Sequence, residues 1–531
     1  MGGGLARRRA GGLSTRSGIL LCIISGILLS LCFPPAGLWP LAWVALVPWI
    51  VSLRLGSTFA AVAGSWLGGA AFFALLLYWL NLFGMSVWWL VAGIEALTLA
   101  AWGVLARWTG RLSPAPRAVA AAALWVVVEW FRGQGRFGFG WGWLGYSQSP
   151  ALSVLPVARA LGTLGLSFVI VLVNAAIAEV VVGRVGGESA WRALGRTVAI
   201  GACAALIVVG ARLWASRLPG PSGPTVRVAV VQGSTTGPLS ASQVNEPLTR
   251  EEQTHAMDTY ARLTLEAAKN RPAITVWPES AVPGAPEDDP WVAARLSDIA
   301  QRANSWLVVG GPYQGKEGGL YNSAYLYSPT GNLVAHYEKV HLVPFGEYVP
   351  GRAWLPFLDR YHVRTSDFAA GSVHRLLQAG TIALGPMICF ESTFPEISYG
   401  LVRRGAQALV IITNDAWFGR TAAAAQHRQI AVLRAAETGR WVLRGASTGI
   451  SSIISPEGRI VAEAGLYRPA VLSAEVTLPR AGERLAGWGI AFPWAALGLA
   501  VAFVIAPGAL PGRRQANRGS RPGFPPRRRG R

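Results

Sequence analysis

Long apolar runs with few charges limit the fold of this 531-residue chain more than any other feature. A helix needs about 20 predominantly apolar residues to cross a bilayer. Candidate spans lie at about residues 17–33, 41–53, 58–80, 87–106, 118–131, 160–182, 197–214 and 486–506. The sequence therefore predicts an α-helical membrane domain of about eight transmembrane helices, seven of them within residues 1–214 and the eighth at 486–506.

The composition agrees with a membrane protein. Hydrophobic residues make up 52% of the chain and charged residues only 14%, whereas charged residues are about 25% of a typical soluble domain. The chain also has 23 tryptophans, and tryptophan is enriched at membrane–water interfaces.

The net charge of +21 is distributed unevenly. Residues 215–485 contain 25 Lys/Arg and 23 Asp/Glu, so the excess lies in the apolar remainder and the two tails. Basic residues that flank apolar runs follow the positive-inside rule, not the pattern of a nucleic-acid-binding face. We therefore expect no nucleic-acid partner, both termini in the cytoplasm, residues 507–531 as a basic cytoplasmic tail and residues 215–485 on the outer side.

The assignment of sides depends on where the arginines lie. The outer connections contain only Arg132, Arg136, Arg159 and Arg212. The inner segments contain the tail and Arg7, Arg8, Arg9, Arg16, Arg54, Arg107, Arg111, Arg117, Arg184, Arg192 and Arg196.

Residues 215–485 have the pattern of an α/β domain. Short apolar runs, each typical of a buried strand, occur at residues 226–231, 274–277, 306–309, 382–388 and 408–412. Residues 249–269 and 422–437 are polar or amphipathic and fit helices. Strands that alternate with helices predict a sheet covered by helices.

Two residues at the ends of predicted strands are candidates for chemistry. Cys389 comes directly after the run 382–388 and just before a predicted helix, whose dipole would favour a thiolate. The alternative is a buried structural cysteine. Glu279 comes two residues after the run 274–277, beside Trp277 and Pro278. Burial there would raise its pKa into the range of a general base; the alternative is an exposed loop charge.

Lys339 is a third candidate, in a segment rich in His, Pro and Gly. Its ammonium group could stabilise the oxyanion of a tetrahedral intermediate. The alternative is a solvated lysine. Neither a CxxC pair nor a Cys/His cluster is present, so we expect no metal site.

These residues lie in motifs that resemble the nitrilase superfamily, which uses a Glu-Lys-Cys triad. The motifs are Trp277-Pro-Glu279-Ser280, Tyr337-Glu-Lys339-Val-His341-Leu-Val-Pro-Phe-Gly-Glu347 and Ile388-Cys389-Phe390-Glu391. Together with the membrane spans and Thr413-Asn414-Asp415-Ala-Trp417-Phe418-Gly419, they are similar to the apolipoprotein N-acyltransferase family. This resemblance implies an extracytoplasmic nitrilase-like domain, an α-β-β-α sandwich, over residues 215–485.

The resemblance also implies an activity. Cys389 would be the nucleophile, Glu279 the general base and Lys339 the oxyanion stabiliser. Supporting or substrate-binding residues would be Glu347, Glu391, Phe390, Asn414 and Trp417. Phe390 stands where the family often has tyrosine, so a role for that hydroxyl is absent here.

The implied reaction takes a fatty acyl chain from a phospholipid and passes it, through a cysteine thioester, to the diacylglyceryl-cysteine amine of an apolipoprotein. It needs no cofactor. We expect a monomeric, multi-pass protein of the bacterial inner membrane with its catalytic domain on the periplasmic side.

Other interpretations remain open at this point. Water as the acceptor would make the chain a membrane-tethered amidase or hydrolase, and a scaffold or transporter would use none of this chemistry. His341 or His427 could pair with Cys389 as in papain-like enzymes. Glu129 and Arg132 are either functional intramembrane residues or a structural pair on adjacent helix turns.

Overall fold

The computed structural model describes residues 12–235, 249–315, 318–350, 368–483 and 487–509. The first part of the chain is helical. Its helices are α1 (Thr15–Leu31), α2 (Val47–Leu55), α3 (Thr58–Leu76), α4 (Met85–Trp108), α5 (Pro114–Arg132), α6 (Leu155–Val185) and α7 (Ala190–Ser216).

Four segments in the described residues are long and apolar enough to cross a membrane. They are α3, α6, α7 and the segment Met85–Arg111, which contains α4. The apolar helices Thr15–Leu31, Trp39–Leu55 and Phe492–Ile505 are shorter. Helix α5 covers the predicted span 118–131, but Arg117, Glu129 and Arg132 lower its hydropathy. The structure thus supports a helical membrane region, and the number of eight spans stays a prediction.

The second part of the chain forms two sheets and the helices that cover them. The helices are α8 (Arg250–Ala268), α9 (Pro290–Ala303), α10 (Pro395–Arg403) and α11 (Ala423–Thr438). The strands are β1 (Thr225–Gln232), β2 (Ile274–Val276), β3 (Trp306–Gln314), β4 (Leu320–Tyr327), β5 (Leu333–Glu338), β6 (Leu377–Ala379), β7 (Ile382–Ile388), β8 (Ala408–Thr413), β9 (Trp441–Ala446), β10 (Ser452–Ile454), β11 (Ile460–Glu463) and β12 (Ala470–Thr477).

Each sheet has six strands within the described residues. One has the order β12-β1-β2-β3-β4-β5 and the other β11-β10-β9-β8-β7-β6. Strands β1, β2 and β3 are parallel to one another, as are β7, β8 and β9. The carboxyl ends of parallel neighbours meet at one edge of a sheet, so the residues after β7 and β8 lie side by side. The residues after β2 of the other sheet meet them there, since the Asn414 amide donates to the Glu279 carboxylate at 2.6 Å.

The buried side chains define four layers. Val228, Val276, Leu384 and Val410 belong to one apolar core between the two sheets. Residues of α8 and α9 pack on the outer face of the first sheet. Those of α10 and α11 pack on the outer face of the second sheet. This is the α-β-β-α sandwich that the resemblance implied.

Helix α11 joins the sandwich to the helical membrane region. The Gln426 side chain accepts a hydrogen bond from Trp141 Nε1 (2.8 Å) and donates to the carbonyl oxygens of Pro34 and Leu76 (3.1 Å each). At the other end of α11, Glu437 accepts bonds from the Thr163 amide and hydroxyl at 2.6 Å each. The last helix, α12 (Phe492–Ala509), packs against α5.

Candidate active site

Glu279 lies at the carboxyl end of β2 and is 5% exposed. Its Oε1 accepts a hydrogen bond from Asn322 Nδ2, and its Oε2 accepts one from the Asn414 amide, both at 2.6 Å. Burial raises the pKa of this carboxyl group above its usual value, although Lys339 opposes the shift. The alternative of an exposed loop charge is therefore wrong.

A close backbone approach positions Glu279. The Gly310 amide of β3 donates to the Pro278 carbonyl oxygen at 3.1 Å. A Cβ atom at Gly310 would lie 2.5 Å from that oxygen and 2.6 Å from the Glu279 Cα. Only glycine permits this approach, so the backbone of β3 fixes where the carboxylate stands.

Lys339 follows β5 and is 1% exposed, so the alternative of a solvated lysine is also wrong. Its Nζ lies 2.9 Å from Glu347 Oε1 and 3.6 Å from Glu279 Oε1. Burial alone would lower the pKa of the Lys339 ammonium, but Glu347 and Glu279 outweigh it and raise the pKa. Lys339 is consequently a fixed positive charge between two carboxylates.

Asn322 of β4 connects the two carboxylates, and sequence reasoning missed it. Its amide nitrogen donates to Glu279 at 2.6 Å and to Glu347 at 2.9 Å. The other oxygen of Glu347 accepts from the Val343 amide at 2.8 Å. Glu347 thus anchors the loop after Lys339, the supporting position that its motif implied.

Cys389 is half-buried at the turn that follows β7. Its φ of +53° is left-handed, a conformation that costs a non-glycine residue roughly 1–3 kcal/mol and is concentrated at functional sites. Ile388 pairs with Ile412 in the neighbouring strand β8. This register brings Cys389 beside Thr413, whose hydroxyl donates to Asp415 Oδ1 at 2.7 Å.

The helix whose dipole was expected to favour a thiolate does not begin directly at Cys389. Helix α10 begins only at Pro395, after a 3₁₀ turn over Cys389–Thr393. Burial raises the pKa of the thiol well above its usual value, and Glu279 raises it further while Lys339 lowers it. The raised pKa keeps the Cys389 thiol neutral, so its deprotonation would need a base.

Glu391 is fully buried and holds two segments of the site together. Its Oε1 accepts from the Tyr337 hydroxyl (2.7 Å) and from the amides of Val340 (2.8 Å) and His341 (3.2 Å). Its Oε2 accepts from the Ile388 amide at 2.8 Å. The carboxylate therefore ties the segment that carries Lys339 to the strand that carries Cys389.

His427 is oriented by a buried network behind Cys389. Its Nδ1 lies 3.1 Å from Asp415 Oδ1, and Asp415 pairs with Arg444 at 2.7 Å. Burial opposes ionisation of Asp415, but Arg444 and His427 lower its pKa to about 2. Sequence reasoning had placed Asp415 and His427 in motifs without giving them this connection.

The papain-like alternative receives no support from these contacts. The Nε2 of His427 faces the Ser392 hydroxyl (2.9 Å) and the Cys389 carbonyl oxygen (3.3 Å). His341 packs its ring against Phe394 at a centroid distance of 3.8 Å. Burial and Lys339 lower the pKa of His341 to about 4, so it is neutral near pH 7.

Aromatic rings line the path from the nucleophile turn to the helical membrane region. Phe390 stacks near Phe139 (6.3 Å between centroids), and Phe139 stacks near Trp141 (6.3 Å). Phe418 contacts Trp79 at 4.8 Å and Trp141 at 5.9 Å. This wall is apolar and spans both parts of the molecule, as an acyl chain would require.

Two further expectations concern this wall. Trp417 is half-buried next to Phe418, which fits its expected place near substrate. The sequence also has an apolar stretch at 354–357, which would either line or cover an opening for acyl chains or pack in the core, and it lies outside the described residues.

The structural pair that was one of the two interpretations of Glu129 and Arg132 is not the contact that forms. Arg132 pairs instead with Glu95 at 3.0 Å and donates to the carbonyl oxygens of Phe139 and Trp141. Glu129 accepts from the Leu144 amide at 2.6 Å. Both residues thereby fix the loop that carries the aromatic wall.

Among the described residues, no group of three or more His, Cys, Asp and Glu side chains is placed to hold a metal ion.

Comparison with known proteins covers both parts of the chain. The family model of the apolipoprotein N-acyltransferase N-terminal domain matches residues 25–176, and that of the carbon-nitrogen hydrolases matches residues 227–484. The chain is 34% identical to an apolipoprotein N-acyltransferase of Geobacter metallireducens, over 92% of this chain and 95% of that protein.

Two further proteins match the chain. The chain is 31% identical to an apolipoprotein N-acyltransferase of Pseudomonas syringae pv. tomato, over 86% of this chain and 90% of that protein. Among solved structures, a mutant of the Nesterenkonia AN1 amidase from the nitrilase superfamily is 21% identical, with a TM-score of 0.37 over 49% of this chain and 93% of that one.

Proposed function

The chain belongs to the apolipoprotein N-acyltransferase family, and from this premise we propose that it moves a fatty acyl chain from a phospholipid to a lipoprotein amine through a thioester at Cys389. The observation that carries the proposal is the convergence of three groups. Glu279 and Lys339 lie 3.6 Å apart, and both act electrostatically on the Cys389 thiol.

In the first half-reaction, the Glu279 carboxylate takes the proton of the Cys389 thiol while the sulfur attacks an ester carbonyl carbon of the phospholipid. The Lys339 ammonium stabilises the oxyanion of the tetrahedral intermediate. When the carbonyl re-forms, the ester C–O bond breaks, and Glu279 returns the proton to the departing lysophospholipid oxygen. The product is an acyl thioester on Cys389.

In the second half-reaction, the free amine of the diacylglyceryl-cysteine attacks the thioester. Glu279 accepts a proton from the amine and then supplies one to the departing Cys389 sulfur. An amide forms and the thiol is restored, so protons and bonds balance without a cofactor. One difficult acyl transfer becomes two easier ones, and the kinetics are ping-pong.

The electrostatics explain why the base and the nucleophile act together. The thiol pKa is raised by burial, so a thiolate is not available in advance. The Glu279 pKa is raised as well, which makes the carboxylate a stronger base than one in water. Because both pKa values are raised in a site that excludes water, the proton can pass from the Cys389 thiol to the Glu279 carboxylate.

The supporting residues have separate tasks. Glu347 and Asn322 hold Lys339 and Glu279 in place, and the Asn414 amide orients the second oxygen of Glu279. Glu391 fixes the backbone on either side of the site. Phe390, with Trp417 nearby, offers apolar surface to acyl chains.

We further propose the topology that the arginine distribution predicts. Eight helices would span a bacterial inner membrane, with both termini and the basic tail in the cytoplasm and residues 215–485 in the periplasm, and the protein would act as a monomer. Both substrates are lipids of the outer leaflet, so a site whose aromatic wall continues into the membrane region suits them. Residues 510–531 of the tail lie outside the described residues.

An amidase that uses water as acceptor is the second candidate. The match to the N-terminal domain of the acyltransferase family over residues 25–176 and the tight connection through Gln426 favour acyl transfer, because a tether needs only one span. A decayed transporter or scaffold would not retain the buried, hydrogen-bonded triad.

The deciding experiment uses purified enzyme in detergent. Intact-mass spectrometry after incubation with phospholipid alone should detect one acyl adduct that maps to Cys389, and Cys389→Ala should form none. Cys203→Ala, at an exposed cysteine of α7, is the matched control and should behave as wild type.

A lipopeptide with a free amine is then added to the acylated enzyme. The adduct should decay into an N-acylated peptide and not into free fatty acid. Acyl transfer by Cys389→Ala near the wild-type rate would overturn the thioester, and free acid as the main product would favour the amidase.

A further inference from the structure

A cavity lies at the carboxyl end of α11, away from Cys389. Its volume is about 460 Å³, and it is bounded by the start of α6, the end of α7 with the linker that follows, and the carboxyl end of α11. Sites for small ligands span roughly 300–1,000 Å³. From His427 to Ala436 the helix rises by about 13 Å, so this cavity is separate from the triad.

One part of the cavity wall is apolar. Leu152, Leu155, Pro156 and Leu218 line it. These residues lie at the ends of α6 and α7, two of the helices that are long and apolar enough to cross a membrane. The apolar wall therefore continues the surface that would face lipid.

Three arginines line the cavity as well, Arg159, Arg212 and Arg459. Among the described residues, none of their side chains forms a hydrogen bond or an ion pair. The Arg159 guanidinium packs on Gly439 at the end of α11, and its Nη1 is buried without a hydrogen-bond partner. A buried guanidinium nitrogen that is left unpaired costs free energy, so the site is incomplete without an acceptor.

Two carboxylates also line the cavity and offset only part of the charge of the three arginines. Glu483 already faces Arg440, at 3.6 Å, and Glu457 accepts a hydrogen bond from the Ser455 hydroxyl at 2.6 Å. Three free cations thus remain beside two carboxylates with partners of their own.

An interfacial tryptophan marks the level of the cavity. Trp488 is 69% exposed, and its amide donates to the carbonyl oxygen of Ala160 at 2.6 Å, next to Arg159. Exposed tryptophans of membrane proteins sit at the headgroup level of the bilayer. Trp488 therefore places the arginines where phosphate groups of lipids lie.

We propose that this cavity binds one membrane phospholipid as a permanent structural ligand, with its phosphodiester on Arg159, Arg212 and Arg459 and the start of its acyl chains on the apolar wall. Guanidinium groups are suited to phosphate oxygens because they present several donors in one plane. A free phosphate would use only the cations and leave the apolar wall without a partner, so the combination selects a lipid.

The test is the affinity of full-length enzyme in detergent for phosphatidylglycerol, measured by native mass spectrometry. Arg212→Gln is the main variant, because Arg212 is exposed and its loss should not affect folding. It should weaken the tightest-bound lipid about tenfold, as expected for loss of one charged hydrogen bond. Arg217→Gln is the matched control, since Arg217 is five residues further along and does not line the cavity.

The outcomes separate the possibilities. A loss of lipid affinity in Arg212→Gln but not in Arg217→Gln supports the site. Equal losses of affinity in the two variants would contradict it, because they would indicate a general attraction between the basic surface and anionic lipid. Inorganic phosphate and glycerol 3-phosphate should compete only at far higher concentration. Competition by either at concentrations similar to the lipid would overturn the assignment to a lipid. Because Cys389→Ala should retain this lipid, the result does not depend on the catalytic proposal.

Discussion

Replacing Asn322 by leucine, which has nearly the same shape, should move the acid limb of the pH–rate profile to higher pH. The Asn322 amide donates to Glu279 at 2.6 Å and to Glu347 at 2.9 Å. Its bond to Glu279 lowers the pKa of that carboxyl group against the raising effect of burial. Leucine would remove this hydrogen bond but keep Glu279 buried, so the pKa of Glu279 should rise further.

The size of the effect follows from one hydrogen bond. A bond to a charged group contributes about 1.5–3 kcal/mol, and about 1.4 kcal/mol corresponds to one pH unit. In the proposed mechanism, acyl-enzyme formation needs the Glu279 carboxylate. This charged form is lost as the pH falls through the pKa of Glu279. The acid limb should therefore move up by about one to two pH units, and the rate should approach that of wild type at high pH.

The assay is the rate of adduct formation at Cys389 with phospholipid alone, measured in steps from about pH 5 to 9 across the range where a raised carboxyl pKa falls. Asn332→Ala, at an exposed asparagine on the same hairpin, is the control and should leave the profile unchanged. A uniform fall in rate at every pH would refute the reasoning, because it would make Asn322 a packing residue only.

Three other substitutions have defined outcomes. Gly310→Ala should lower the acylation rate more than a hundredfold, because its Cβ would meet the Glu279 backbone at 2.6 Å, and a misplacement of about 1 Å costs that much; a wild-type rate would mean that the strand yields freely. Thr413→Val should lower the melting temperature by a few degrees, because it removes the hydroxyl that donates to the buried Asp415 carboxylate at 2.7 Å; an unchanged melting temperature would contradict this. Glu391→Ala should lower the melting temperature by more than about 5 °C, since the amides of Val340, His341 and Ile388 lose their acceptor; differential scanning fluorimetry in detergent measures both.

The strands beside the nucleophile could be predicted from the sequence because they are buried on both faces. Such strands are continuous apolar runs without polar alternation. The prediction for residues 382–388 matches β7, and that for 408–412 falls one residue short of β8. Cys389 and Asn414 could therefore be placed at strand ends before any coordinates were known.

Asn322 could not be predicted, for a physical reason. Its position depends on how β4 pairs with β3 and β5, which brings Asn322 opposite Pro312 and beside Lys339. Nothing in the local sequence of β4 marks one polar residue as catalytic support. The Asp415–His427–Arg444 network is hidden in the same way, since it joins a turn, a helix and a strand.

The membrane region is the part of the fold that the sequence predicts least well. Apolar composition predicts that a segment is buried or in lipid, but not whether a helix continues through it. The predicted span at 41–53, for example, is a 3₁₀ turn over Trp39–Trp43 followed by the short helix α2. Proline at positions 40 and 48 contributes to this break, because it lacks an amide donor.

The bonds of Gln426 have a consequence for substrate choice. One residue before His427, this amide is fastened to main-chain oxygens at Pro34 and Leu76, so the wall behind the thiol can neither rise nor sink relative to the helices below it. The enzyme thus works at a constant depth. We expect such a site to select a lipid carbonyl by its height above the hydrocarbon core of the bilayer.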